Sequence, residues 1–180
     1  MSRSKVLKTI ITGEGGVGKT TLLHRYIEGR FDANTRLTIG VEFFLKEIVI
    51  DEDSILLQIW DFGGQERFRF LLSNYVKGAK GALLLFDLTR PLTLNTLHEW
   101  VNICRSDDPE LPILLVGSKA DLEEMIAVNE ELLESLKDEF NFFEYVRISS
   151  KTGENVDVVF EKIAREIINH IEKEKHINYE

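Results

Sequence analysis

Short unbroken apolar runs alternate along the chain with stretches where apolar residues recur every three or four positions. Unbroken runs fit strands buried on both faces, and the longer period fits helices that bury one face. The pattern predicts a strand at 6–12, a helix at 20–28 and a hairpin from 41–50 and 54–60 around Asp51-Glu52-Asp53. "GALLLFD" (81–87) and "PILLVGS" (112–118) predict two more buried strands, and between them Leu97, Trp100, Val101 and Cys104 keep helical spacing. A polar helix at about 129–140, a strand in "FFEYVRI" and a last helix after Asn155 complete the series. Asn155 is expected to cap that helix, with Val156, Val159, Phe160, Ile163, Ile167 and Ile171 on its buried face. Without repeats, low-complexity tracts or linkers, residues 1–180 are expected to form one α/β domain. Its sheet should be six-stranded and mostly parallel, with one antiparallel hairpin strand and helices on both faces. Ligands of such sheets bind beyond the carboxyl ends of the strands, so the residues just after each strand are the ones to inspect.

Composition narrows the chemistry. With 43% hydrophobic and 29% charged residues, 180 residues suffice for a core without staples. A formal charge of −9 argues against a nucleic-acid partner, which needs basic patches. The single cysteine, Cys104, rules out an internal disulfide and fits a reducing, cytoplasmic setting. In the start "MSRSKVLKTII", Lys8 interrupts the apolar run and no small-residue cleavage site follows, so it reads as a strand and not a signal peptide. No apolar run approaches the length of a membrane span. His24, His98, His170 and His176 have no ligand spacing, and the terminal "IEKEKHINYE" reads as the solvated end of the last helix.

The densest chemistry lies in "TIITGEGGVGKTTLL", residues 9–23. Gly13, Gly18, Lys19 and Thr20 match G-x-x-x-x-G-K-[ST] between a strand and a helix. Without side chains at Gly15, Gly16 and Gly18, the backbone N–H groups through Val17 and on to Thr21 can converge on phosphate oxygens. The helix start adds its unpaired N–H groups. Lys19 would neutralise terminal phosphates and Thr20 would ligate Mg²⁺. A glycine-rich turn with an exposed lysine is the bland alternative, and the loop alone names no nucleotide.

Further motifs do. "WDFGGQE" is similar to W-D-T-A-G-Q-E, "LTIGVEF" to T-I-G-V-D-F, "SKAD" (118–121) to N-K-x-D and "SSKTG" (149–153) to S-A-K. In this order and spacing the chain resembles the small GTPases of the Ras superfamily, closest in look to the Rab branch. The resemblance runs nearly end to end and implies a Mg²⁺-dependent switch that hydrolyses GTP to GDP and phosphate, serving signalling or vesicle traffic. By it, Thr38 reaches Mg²⁺ and the γ-phosphate, Asp61 holds Mg²⁺ through water, Gly64 offers its N–H to the γ-phosphate and Gln65 orients the attacking water. Lys119 and Phe31 would cover the two faces of the base, and Ser150 and Lys151 would offer N–H groups to guanine O6, within the motif that Ser149 opens. Asp121 fits guanine by its chemistry as well, because an acceptor-only carboxylate can take both N1–H and the 2-amino group.

The chain departs from the family at two places. Ser118 stands where asparagine is usual, with a shorter side chain and one donor. Phe62 and Gly63 replace Thr-Ala, and the glycine is expected to loosen the loop around Gln65. No arginine of the first switch is placed as a finger in cis, with only Arg36 nearby, so slow turnover awaiting an activating protein is expected. An exchange factor and effectors follow from the resemblance, the latter reading a face at 31–44 and 62–76. Phe43, Trp60 and Tyr75 match effector-facing positions, though hairpin packing explains them equally well. The chain is expected to be a monomer. It ends at "HINYE" without a prenylation cysteine and carries Ser2 in place of a myristoylated glycine, so a direct membrane anchor is not expected. Two rivals stay open: a GTP-holding scaffold with little hydrolysis, and a P-loop kinase acting on a small molecule.

Overall fold

The unbroken apolar runs form central strands because both faces of the sheet are covered. A computed structural model describes residues 5–177; residues 1–4 and 178–180, including the end of the terminal polar stretch, lie outside the described residues. Among the described residues the chain runs β1 (Lys5–Gly13), α1 (Lys19–Glu28), β2 (Val41–Ile50), β3 (Asp53–Phe62), α2 (Arg69–Val76) and β4 (Gly81–Asp87). It continues through α3 (Leu97–Cys104), β5 (Ile113–Ser118), α4 (Glu130–Glu139), β6 (Glu144–Arg147) and α5 (Val156–Ile177). The strands make one sheet in the order β2-β3-β1-β4-β5-β6, with β2 antiparallel to β3 and every other pairing parallel.

Alternation along the strands feeds two cores. Leu7, Ile11, Leu83, Leu85, Leu114 and Val116 join Leu22, Leu23 of α1 and Phe160, Ile163, Ile167 of α5 on one face. Ile10, Ala82, Leu84, Phe86, Ile113 and Leu115 meet Leu72 of α2, Trp100 and Cys104 of α3 and Leu133 of α4 on the other. Burial pushes the Cys104 thiol up to about 12, so it is an inert core residue. Each fully buried Leu, Ile or Phe contributes roughly 1.5–3 kcal/mol. β1 pairs with β3 on one side and β4 on the other, so the chain diverges in both directions from its carboxyl end. That divergence opens the crevice where a ligand of a parallel sheet binds.

Two local expectations change. Asn155 does not act as a side-chain N-cap: it is left-handed at φ 55°, and its amide donates to the Arg147 carbonyl at 2.8 Å. Anchoring the approach to α5 against β6 takes the place of capping. Ile171 is only partly buried, because α5 there is running past the edge of the core.

The β2–β3 hairpin turns through Asp51 and Glu52 at φ 49° and 71°, with Ile50 paired to Asp53. Two left-handed residues define the turn that matches strand twist, and glycine adopts it with least strain. Asp51 also pairs with Arg165 at 2.7 Å, so Glu52 is the replaceable one. Glu52→Gly is expected to stabilise the fold by about 1 kcal/mol. The relief of roughly 1–2 kcal/mol of strain is partly offset by the glycine's greater freedom when unfolded. A higher urea midpoint at unchanged slope is the check.

Candidate functional site

The chain leaves β1 at Gly13 (φ 139°), turns through Gly16 (φ 73°) and Gly18 (φ 103°), and enters α1 at Lys19. Gly13 must be glycine for space as well, since a Cβ would lie 2.2 Å from the Leu85 carbonyl oxygen. Gly18 is the N-cap of α1 and offers no side-chain oxygen, leaving the first N–H groups of the helix facing the crevice. Lys19 is buried and folds back, donating to the carbonyls of Gly13 (2.9 Å) and Glu14 (2.8 Å). Burial lowers its pKa to about 8, with the charges of Asp61 and Glu14 opposing the shift.

A cavity of about 390 Å³ lies over this loop. Gly15, Gly16, Val17, Gly18, Lys19, Thr20 and Thr21 line it on the loop side, and Phe31, Thr38, Gly64 and Gln65 close over it. Ser118, Lys119, Asp121, Ser150 and Lys151 line its other end. The expected site residues thus converge from five separate stretches of sequence. Gly13, Asp61 and Ser149 stand one step behind the wall. Asp61 accepts from the Thr20 hydroxyl at 2.5 Å, with the Thr38 hydroxyl against both. Ser149 donates to Asp121 at 2.7 Å.

Asp61 is buried, and burial raises its pKa to about 6 against the pull of Thr20 and Lys19. Its Oδ1 is buried without a hydrogen-bond partner among the described residues. An orphaned carboxylate oxygen beside two hydroxyls is an all-oxygen donor set that fits a hard divalent cation such as Mg²⁺.

At the cavity end lined by Ser118, Lys119 and Asp121, the Ser118 hydroxyl lies 2.6 Å from the Val17 carbonyl and 2.9 Å from that of Phe86. It therefore pins the phosphate loop to β4, with one proton to divide between two acceptors. Lys119, held at φ 66°, reaches the buried Asp87 at 2.6 Å. Arg90 also meets Asp87, at 2.9 Å, and extends to the Gly15 carbonyl at 3.3 Å. Burial would raise the Asp87 pKa, but hydrogen bonds from Lys119, Thr89 and Arg90 prevail and lower it.

Gly63 serves close packing in this structure. Its N–H donates to Gly40 at 2.7 Å, and a Cβ there would lie 2.6 Å from the Thr38 carbonyl oxygen. The missing side chain lets the chain at Gly63 pack backbone to backbone against Thr38 and Gly40. Phe43, Trp60 and Tyr75 form a chain of ring contacts, 5.2 and 6.1 Å between centroids, with Phe43 and Tyr75 exposed.

Several participants carry no local sequence signal. Asp32, Ala33, Thr35, Leu37 and Leu122 line the cavity, as does Arg36, the arginine singled out in the first switch. Glu14, Arg69 and Glu99 form a charged cluster at the start of α2. Away from the cavity, folding brings Asp108 beside His170, which already has Glu174 one helical turn further along α5. No helix among the described residues is long and apolar enough to cross a membrane.

A mostly parallel sheet with a glycine loop and a lysine at its divergence point defines a P-loop nucleotide-binding protein. The model of the Ras family matches residues 8–169, and the chain belongs to that family of small GTP-binding switches. It is 37% identical over 169 residues to the Ras-related protein RABA1i of Arabidopsis thaliana, covering 93% of this chain and 77% of that protein. Identity to RABA5c of the same plant is 37% over 171 residues (94% and 79%), and to RABA5b 38% over 169 (93% and 77%).

Proposed function

We propose that this chain is a Mg²⁺-dependent guanine-nucleotide switch that hydrolyses GTP slowly by itself and presents its 31–44 and 62–76 segments to partners. The observation that carries this reading is a single cavity with Lys19 at one end and Asp121 at the other. The first suits a phosphate tail and the second a base edge with two donors. Thr20, Thr38 and Asp61 would hold the cation, which when bound neutralises charge developing on the phosphates. The loop N–H groups and Lys19 bind the phosphates, and Gly64 contacts the last of them. Gln65 orients the attacking water. Release of Thr38 and Gly64 after hydrolysis separates the two states of the switch. A GTPase-activating protein, an exchange factor and effectors are the partners this reading calls for, with the Phe43–Trp60–Tyr75 face as an effector surface. One domain over 1–180, acting as a monomer in the cytoplasm, completes the reading.

Gln65→Leu tests it. GTP affinity should stay within about threefold of wild type while single-turnover phosphate release slows by about tenfold or more, since the amide acts in the transition state. Wild-type protein that binds GTP but releases no phosphate would favour the scaffold. Unchanged hydrolysis in the variant would remove Gln65 from the water-positioning role.

A further inference from the structure

Arg69, the first residue of α2, is nine-tenths buried as a side chain, and its two Nη groups reach three different parts of the chain. The two protons of Nη2 go to the Glu14 carboxylate, at 2.8 and 2.9 Å from its oxygens, and to the Gly64 carbonyl at 3.1 Å. Nη1 donates to Glu99 of α3, and the guanidinium lies 4.7 Å from the ring centroid of Trp100. Glu14 is itself fixed from the other side, accepting from the Thr96 hydroxyl at 2.9 Å and the Gly15 N–H at 3.2 Å.

The carbonyl that Arg69 holds belongs to the peptide joining Gly64 to Gln65. A peptide is planar, so fixing its oxygen fixes the plane, and with it the direction in which the chain enters Gln65. Gly64 has little other freedom, because a Cβ there would meet the backbone of Gly13, Glu14 and Gly15. One guanidinium therefore joins the phosphate loop, α3 and the peptide that carries Gln65. We infer that Arg69 is a positioning residue for hydrolysis: clamped by Glu14 and Glu99, it sets the Gly64–Gln65 peptide and so the backbone from which Gln65, whose Oε1 accepts from Arg67 Nε at 3.2 Å, reaches the attacking water. This rests on the reading of Gln65 given above. The fork geometry is essential to it, since a lysine can keep the charge but not bond a carboxylate and a carbonyl from fixed positions on one plane.

Arg69→Lys is the central variant, because Arg69→Ala would leave two acidic groups without their cation and endanger the fold. Arg69→Lys should keep nearly wild-type thermal stability and dissociation constants for GTP and GDP within about threefold, while single-turnover hydrolysis slows by about tenfold or more. In the Gln65→Leu background the same change should slow hydrolysis no further, because Arg69 acts through Gln65. Hydrolysis within about twofold of wild type in a folded, nucleotide-binding Arg69→Lys protein would overturn the inference, as would multiplying effects in the double variant. If wild type itself shows no hydrolysis, the functional reading fails separately. Backbone hydrogen exchange at 64–68 then decides on Arg69: faster exchange in Arg69→Lys upholds the clamp, and unchanged exchange removes it.

Discussion

Asp121→Asn should exchange the base preference from guanine to xanthine. In the folded chain one carboxylate oxygen already accepts from the Ser149 hydroxyl, whose own oxygen accepts from the Thr152 N–H at 3.1 Å. Each carboxylate oxygen has two lone pairs, so holding Ser149 still leaves acceptors for both N1–H and the 2-amino group of guanine. An asparagine has one oxygen, and Ser149 keeps it in place because its hydroxyl proton needs an acceptor. The amide NH₂ is then left facing a guanine donor. Losing a charge-assisted bond costs roughly 1.5–3 kcal/mol, and the unpaired donor adds to that. GTP affinity should fall by at least about tenfold. Xanthine presents a carbonyl where guanine has its amino group, so the amide regains a partner and XTP should bind the variant better than GTP. Titration of GTP, XTP and ATP against both proteins, with Mg²⁺ present, measures this. A variant that favours GTP as strongly as wild type would show that Asp121 does not read the base.

Gly64→Ala should reduce discrimination between GTP and GDP with little loss of GDP binding. An added Cβ would lie 2.4 Å from the Gly15 nitrogen, 2.6 Å from the Glu14 carbonyl carbon and 2.7 Å from the Gly13 oxygen. All three are backbone atoms in the phosphate loop, so no side chain can swing aside, and either the loop or the 62–76 segment must move. Overpacking of this kind costs roughly 1–3 kcal/mol. That cost falls on the state in which Gly64 closes on the loop, and the preference for a GTP analogue over GDP should drop by about 5-fold to 150-fold. Equal ratios for variant and wild type would separate this contact from recognition of the γ-phosphate.

Much of the architecture is legible locally because parallel strands covered on both faces leave unbroken apolar runs. "GALLLFD" is strand β4 residue for residue, and the β2 range is likewise as read. α2 was not legible. Its apolar residues Phe70, Leu71, Leu72 and Val76 include two exposed ones, which blurs the helical period. The role of Asn155 is not legible either: its amide donates to Arg147 at the end of β6, and no local rule anticipates that.

The phosphate loop could be read from sequence alone because its chemistry is contiguous. Backbone N–H groups, a lysine and a hydroxyl must follow one another at fixed spacing between a strand and a helix. That Asp121 and Gln65 line the same cavity also agrees with the reading, since each lies in a short motif just beyond a strand end. Only folding decided that Gly63 serves close packing, that Ser118 divides one proton between two carbonyls, and that Arg69 bridges Glu14 and Glu99. Glu14 and Arg69 are 55 residues apart, and Glu99 lies a further 30 along the chain. Local sequence sets backbone conformation and hydrophobic period, whereas the pairing of buried charges depends on which elements the sheet brings together.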